Sequence, residues 1–301
     1  KIKGVRGIAP AGCGREPAIC EGDGMAVRWN ELMSVGVPAL DADHRFLLTL
    51  INHLDRAIGD RDEYLVVGSV LRGVEDYAAI HFAREERLML MCGFPQFSRH
   101  RQTHRSFVKT LRDLRERHDL ERTGAQSCLE FLHHWLIDHI CSSDMSYRSW
   151  LMIPDSTLPG LGGEPLFAPP GHAADWRGLT LLLVEDNLAF REVLLTFLLG
   201  AGGRGDKVMM VARAEAAQRA LHSGQVGLML CEDRPDGGPT LIRASREAGL
   251  TLPMVLLTPG GPERHFIARE SGADAVLDKP LSAAALVGTL AALAAQQTPL
   301  D

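Results

Sequence analysis

Apolar residues in the first half of the chain recur at steps of three and four, the spacing of one helix face. "LDADHRFLLTLINHLDRAI", from Leu40, predicts a first helix. "RDEYLVVGSVLRGVEDYAAIHFAREERLMLM" predicts a second, longer one, ended by "CGFP", where Gly93 and Pro95 stop it. "FSRHRQTHRSFVKTLRDLRERHDL" and "AQSCLEFLHHWLIDHICSSDMSYRSW" predict a third and a fourth. Four helices with short connections suggest an all-α, up-down-up-down bundle.

The pattern then breaks. "IPDSTLPGLGGEPLFAPPGHAADWRG" is dense in Pro and Gly, has no period, and reads as an interdomain linker over residues 153–177. From Leu179 short apolar runs alternate with helical stretches. The strands are "LTLLLVED", "KVMMV", "VGLMLC", "PMVLLT" and "AVLD", each followed by a helix. Runs so uniformly apolar are those of buried parallel strands. Residues 178–301 are therefore expected to form a doubly wound α/β domain on a five-stranded parallel sheet, with its site at the C-terminal strand ends. The bundle is expected over residues 25–152. Residues 1–24 are Gly-rich and aperiodic, and are expected to be a disordered extension, with Met25 near the natural start.

Composition changes this picture little. The chain has 301 residues, 46% of them apolar, which suits two ordinary cores. A formal net charge of -6 gives no support for a nucleic-acid partner. No stretch has the length of a membrane span, so a cytoplasmic protein is expected. The six cysteines (Cys13, Cys20, Cys92, Cys128, Cys141, Cys231) lack metal-type pairing and are expected to be reduced thiols.

The histidines change it a great deal. Nine of the twelve lie between His44 and His139. Surface helices use Lys, Glu and Arg, whereas neutral imidazole is the commonest protein metal ligand. His81 and Glu85 stand four apart on the second helix, and His100 and His104 four apart on the third, so each pair shares a face. His44 lies early on the first helix and His139 late on the fourth. Asp144 follows His139 by five residues, about 140° around an ideal helix. A shared site there requires a locally wide turn. Every helix thus offers a candidate ligand to the bundle interior. Glu86, Arg84 and Arg87 read as a solvated face, and on this stretch alone His81 and Glu85 read either as part of that face or as inward metal ligands. His53, His118, His133 and His134 read as exposed.

These residues resemble a bacterial hemerythrin domain. The resemblance rests on "WNELMSVG" (Trp29, Met33, Gly36), "LDADH", "HFAREERLM", "GFPQFSRHRQTHRSF" and "HWLIDHICSSD". It implies two irons with an oxo or hydroxo bridge. His100, His104 and His139 would hold one iron, His44 and His81 the other, and Glu85 and Asp144 would bridge them. Two octahedral irons offer twelve positions; five imidazoles, two bridging carboxylates and the oxygen bridge leave one open, on the iron with two histidines, for O2. An imidazole-rich site suits iron, and its few carboxylates favour reversible binding over oxidation chemistry. Asp43 departs from the pattern, which usually has glutamine before the first histidine. Trp135, Leu136 and Ile140 read as core packing or as an apolar wall that keeps water from bound O2.

The second half resembles the receiver domain of response regulators, a flavodoxin-like fold. The carriers are "LLLVEDN" with Glu185 and Asp186, "VLLT" with Thr258, and "GADAVLDKP" with Lys279. Receiver chemistry uses an acidic pair on Mg²⁺, an aspartate acceptor ending the third strand, and a Thr and Lys that grip the phosphoryl group. Here the third strand reads "VGLMLCEDRPDGG". Its alignment puts Glu232 or Cys231 at the acceptor position, with Asp233 one place on. Val276 stands where an aromatic residue is usual. Three readings stay open: a degenerate, phosphate-independent receiver; Asp233 as a displaced acceptor; or another role for Glu232 or Cys231. Without a Mg²⁺ site, Glu185 and Asp186 become caps of the next helix.

Together these features imply an oxygen or redox sensor, not an enzyme. A di-iron domain would bind O2 and signal through a receiver to a protein partner, a histidine kinase or a downstream effector. The alternatives are an O2 carrier or store, a di-iron peroxidase or oxidase, and a bundle whose site is empty or holds zinc.

Overall fold

The computed structural model describes residues 26–151, 176–234 and 237–297. The expected N-terminal extension, and all but the last two residues of the expected linker, lie outside the described residues. The elements run α1 (Pro38–Ala57), α2 (Glu63–Met91), α3 (Phe97–Glu121), α4 (Ala125–Asp138), β1 (Leu181–Val184), α5 (Leu188–Gly200), β2 (Val208–Val211), α6 (Ala214–His222), β3 (Leu228–Glu232), α7 (Gly238–Glu247), β4 (Met254–Thr258), α8 (Pro262–Ser271), β5 (Ala275–Asp278) and α9 (Ala283–Gln297).

Each bundle helix buries one stripe. On α3 the buried positions are His100, His104, Phe107, Leu111, Leu114 and His118, alternating steps of four and three. The first two histidines therefore occupy places that Leu or Phe hold further along. Helix α4 does not continue regularly to Asp144. It gives way to a π turn, His139–Ser143, and then a short 3₁₀ turn, Asp144–Ser146. The wider turn brings the fifth residue after His139 onto the same face, as the spacing required.

The sheet order is β2-β1-β3-β4-β5 with every pair parallel. This is the flavodoxin-like order, whose switch between β1 and β3 opens a cleft beyond the strand ends. Helices α5 and α9 cover one face of the sheet, and α6, α7 and α8 the other.

The bundle lies against α5 and α9, so one apolar core runs from Leu54, Val70 and Val74 through Phe197 and Leu286 to the sheet. Two glycines of α2 admit this contact. A Cβ on Gly73 would stand 2.4 Å from Phe197, and one on Gly68 would stand 2.7 Å from Pro280. Ser69 Oγ accepts from the Leu281 N–H (2.8 Å) and Asp76 from the Ala284 N–H (3.1 Å). Helix α2 is thus tied to the α/β domain along one half and carries His81 and Glu85 on the other. No helix among the described residues is long and apolar enough to cross a membrane.

Candidate metal centre and acidic pocket

The ends of α1 and α3 that carry His44, His100 and His104 lie beside the far ends of α2 and α4, so the ligand-type residues meet inside one end of the bundle. All seven are buried. Nε2 of His104 lies 3.0 Å from Glu85 Oε2, and Nε2 of His100 lies 3.4 Å from the same oxygen. Asp144 reaches both groups. Its Oδ1 is 3.1 Å from Nε2 of His139 and 3.4 Å from Nε2 of His100, while its Oδ2 is 3.3 Å from Nε2 of His44. The rings of His44 and His81 stand edge to face, 4.9 Å apart.

These contacts are close but are not hydrogen bonds. Both ring nitrogens of His44, Nε2 of His100, Oε2 of Glu85 and both oxygens of Asp144 are buried without a hydrogen-bond partner. Orphaned buried polar atoms cost about 1–3 kcal/mol each, so the group calls for a cation. Two outer contacts fix the imidazoles for that purpose. Nδ1 of His104 bonds Glu86 Oε1 (3.1 Å), and Nδ1 of His81 bonds Asp43 Oδ2 (3.2 Å). Each holds the proton on Nδ1 and leaves the Nε2 lone pair facing inward. Nε2 of His104 then faces Nε2 of His139 at 3.1 Å, a pairing that a shared metal relieves. Ligand atoms of Glu85, His100, His104 and His139 all lie within 4.8 Å of one another. The residues fit a metal.

The charges of Glu85, His81 and Asp43 agree with this arrangement, while the buried carboxylates Asp144 and Glu85 raise the His44 and His100 rings against their burial. Burial alone would raise the Glu85 carboxyl, but the His100 and His104 rings hold it well below its ordinary value. Burial keeps His81 lowered and so neutral. Asp43 stays anionic despite its burial because His81, Tyr77 and Arg84 surround it. Glu85's other oxygen accepts from the Tyr147 hydroxyl (2.5 Å), a contact sequence reasoning missed. Its signal was a tyrosine three residues past Asp144.

Trp135 lies flat on the His139 ring, 4.2 Å away, and Leu136 and Ile140 are buried. Trp135 and Leu136 also line an enclosed apolar cavity of about 10 Å³ with Leu47, Ala78 and Phe82. Leu47 and Ala78 are one turn from His44 and His81. Ile140 does not line the cavity.

At the C-terminal strand ends, Glu185, Asp186 and Glu232 bring oxygens within 4.8 Å of one another beside a cleft of about 520 Å³. Lys279 Nζ bonds Glu185 Oε2 (2.7 Å) and Glu232 Oε1 (3.2 Å). Burial and Glu185 push the Glu232 carboxyl up to about 7 against the pull of Lys279. Asp233 has no hydrogen bond or ion pair to Lys279 among the described residues. Its Oδ2 accepts from Thr258 Oγ1 (3.1 Å), and Arg264 lies 3.5 Å from its Oδ1. Cys231 is buried, and burial raises its thiol far above the ordinary range. The cap of α5 is Asn187, whose side chain accepts from the Phe190 N–H, rather than Glu185 or Asp186.

Residues 35–151 match the family described as the Hemerythrin HHE cation binding domain. A bacteriohemerythrin of Stenotrophomonas maltophilia is 31% identical over 153 residues, which cover 51% of this chain and 94% of that protein. A hemerythrin-like protein of Naegleria gruberi is 32% identical over 123 residues, 41% of this chain and 92% of that one. The chain belongs to the hemerythrin family. Among solved structures, a putative response regulator from Chloroflexus aurantiacus is 30% identical with a TM-score of 0.36, covering 39% of this chain and 98% of that chain.

Several residues of the hemerythrin bundle differ from expectation. Glu86 and Arg84 are not an idle solvated face. Glu86 holds His104, and Arg84 Nη1 lies 2.5 and 2.6 Å from the Asp43 oxygens. His53 and His118 are buried, not exposed. His53 bonds Thr196 Oγ1 (2.8 Å) in the interdomain contact. The ring of His118 sits between the Thr123 and Tyr64 carbonyls, each 3.1 Å away. His133 is half-buried, and only His134 is exposed. The cysteines among the described residues (Cys92, Cys128, Cys141, Cys231) are free thiols.

Proposed function

We propose that the bundle holds two irons, that it binds O2 reversibly there, and that it signals through the docked α/β domain, which makes the chain an oxygen or redox sensor. The single observation that carries the metal reading is the set of orphaned ligand atoms on His44, His100, Glu85 and Asp144 buried together in one end of the bundle. His100, His104 and His139 serve one ion and His44 and His81 the other. Asp144 would be the natural bridge, since its two oxygens face the two groups separately. Glu85, held from behind by Tyr147, would be the second. A metal pair held there would supply the electrons for binding O2.

The chain's own residues set the conditions. Asp43 and Glu86 fix two ligand rings and raise their basicity. Trp135, Leu136 and Ile140 keep the region apolar. The small cavity has room for a molecule about the size of water, and its walls Phe82 and Trp135 stack on His104 and His139.

The α/β domain acts without phosphotransfer. Asp233 is engaged by Thr258 and Arg264, and the residue facing Lys279 is Glu232. A fused domain tied to the helix of two ligands favours sensing over carriage or storage. The reader is a protein partner in the cytoplasm, a kinase or an effector, and not a nucleic acid.

Metal analysis tests the foundation. Two irons per chain in the purified protein, lost in Glu85→Ala and in Asp144→Ala, are expected. Zinc alone, or no metal, would remove the O2 reading.

A further inference from the structure

The acidic pocket has an occupant from the other domain. Arg61, in the turn between α1 and α2, reaches across to pair with Asp186 Oδ1. Arg234 pairs with Asp186 Oδ2. Lys279 takes one oxygen each from Glu185 and Glu232, and the second Glu185 oxygen accepts from the Asn187 N–H (3.0 Å). Of the three acids, only Glu232 keeps an uncommitted oxygen, Oε2. The turn is also gripped from beside the pocket. Asn187 Nδ2 donates to Asp60 (2.6 Å) and to Asp62 (2.9 Å), and Asp62 receives Arg61 Nε (3.0 Å).

Three carboxyl groups thus face three cationic side chains. A resident Mg²⁺ does not fit this arrangement. Mg²⁺ demands a near-ideal octahedron of oxygens and keeps its waters. Here it would meet carboxylates already committed, with two guanidiniums and an ammonium around it, and like charges at these distances repel.

We propose that Arg61 stands in for the divalent cation. The pocket is a socket whose ligand is the bundle's own guanidinium, and this contact both closes the cation site and locks the α1–α2 turn onto the α/β domain. The guanidinium is planar with several fixed donors, which suits a shared carboxylate. Arg61 also begins the segment that runs into α2, so the socket and His81 are joined by one helix, whose stretch from Glu63 to His81 spans about 27 Å at 1.5 Å per residue. The proposal relies on the receiver reading only for the expectation of a cation at Glu185 and Asp186.

The test uses the full chain loaded with iron, so that the bundle takes up no probe metal. Mn²⁺ replaces Mg²⁺ as the probe, and free Mn²⁺ is counted by electron paramagnetic resonance. Arg61 is more than half exposed, so Arg61→Ala is expected to fold. The wild-type chain should bind Mn²⁺ with a Kd weaker than about 1 mM, and Arg61→Ala should tighten it at least about tenfold. Adding Asp186→Asn to Arg61→Ala should abolish the gain, which places the ion in the pocket. Equal Mn²⁺ binding by wild type and Arg61→Ala would overturn the proposal and leave the receiver reading standing. No binding by either chain would overturn the proposal and the latent cation site together.

Discussion

The Asp43 carboxylate lies 3.2 Å from Nδ1 of His81, with both side chains almost fully buried. It stands where bacterial hemerythrins usually carry glutamine, so an anion replaces an amide behind His81. Arg84 balances its charge from the outer side. An anionic partner makes the imidazole a stronger donor. Asp43→Asn keeps the shape and removes the charge. It should weaken iron binding about 10- to 100-fold, read by competition with a chelator. It should also raise the reduction potential of the centre. An unchanged potential would mean that Asp43 only packs.

The neighbouring glutamates should differ in degree rather than in kind. Glu85→Ala should lose iron outright. Glu86→Ala should still bind iron, with affinity lowered about tenfold by loss of the His104 contact. Equilibrium dialysis separates the two. Iron affinity as strong in Glu86→Ala as in wild type would restore the idle role that its sequence suggests.

Gly73 should resist a substitution that usually helps. In an ordinary helix, Gly→Ala stabilises by up to about 1 kcal/mol. Here the new Cβ would stand 2.4 Å from Phe197, so Gly73→Ala should destabilise by roughly 1–3 kcal/mol. The thermal midpoint should fall, and amide exchange in α5 should quicken.

His53 gives the interdomain contact a pH dependence. Burial and then Arg56 lower its ring to about 4, with Thr196 and Glu192 also facing it. The folded state keeps the ring neutral, while the unfolded chain protonates it near 6.5. Stability from this group is therefore full above about pH 6.5 and is lost as pH falls towards 4, by roughly 2–3 kcal/mol at most. His53→Gln should flatten the slope of unfolding free energy over that window, compared with wild type at equal iron loading. Equal slopes would show that other groups set it.

Phosphodonor treatment should leave the mass of the intact protein unchanged, because Asp233 is engaged by Thr258 and Arg264 while Lys279 bonds Glu185 and Glu232. A phosphoryl mass gain that Asp233→Ala abolishes would establish the displaced acceptor.

What the sequence disclosed follows from how the signals arise. Six of the seven ligand-type residues were legible as pairs at helical spacing, with His139 and Asp144 requiring the wide turn that forms, while His44 was singled out by the resemblance. The strands were legible as short apolar runs. The contacts of Arg61, His53, Gly68 and Gly73 were not, because their partners lie more than a hundred residues away and leave no local period. Glu86 and Arg84 were misread for a related reason. A charged residue beside a ligand looks the same whether it faces water or a neighbouring helix. Asp43 was visible as a departure, but its pairing with Arg84 depends on how α1 and α2 pack.

The visible spectrum of the anaerobically reduced protein, before and after O2, tests the central claim most directly. The reduced protein should be nearly colourless. Air should produce absorption bands that fade when O2 is removed under argon and return on a second exposure, with two irons per chain throughout. A protein that stays colourless in air, or whose colour never reverses, would contradict reversible O2 binding at this centre.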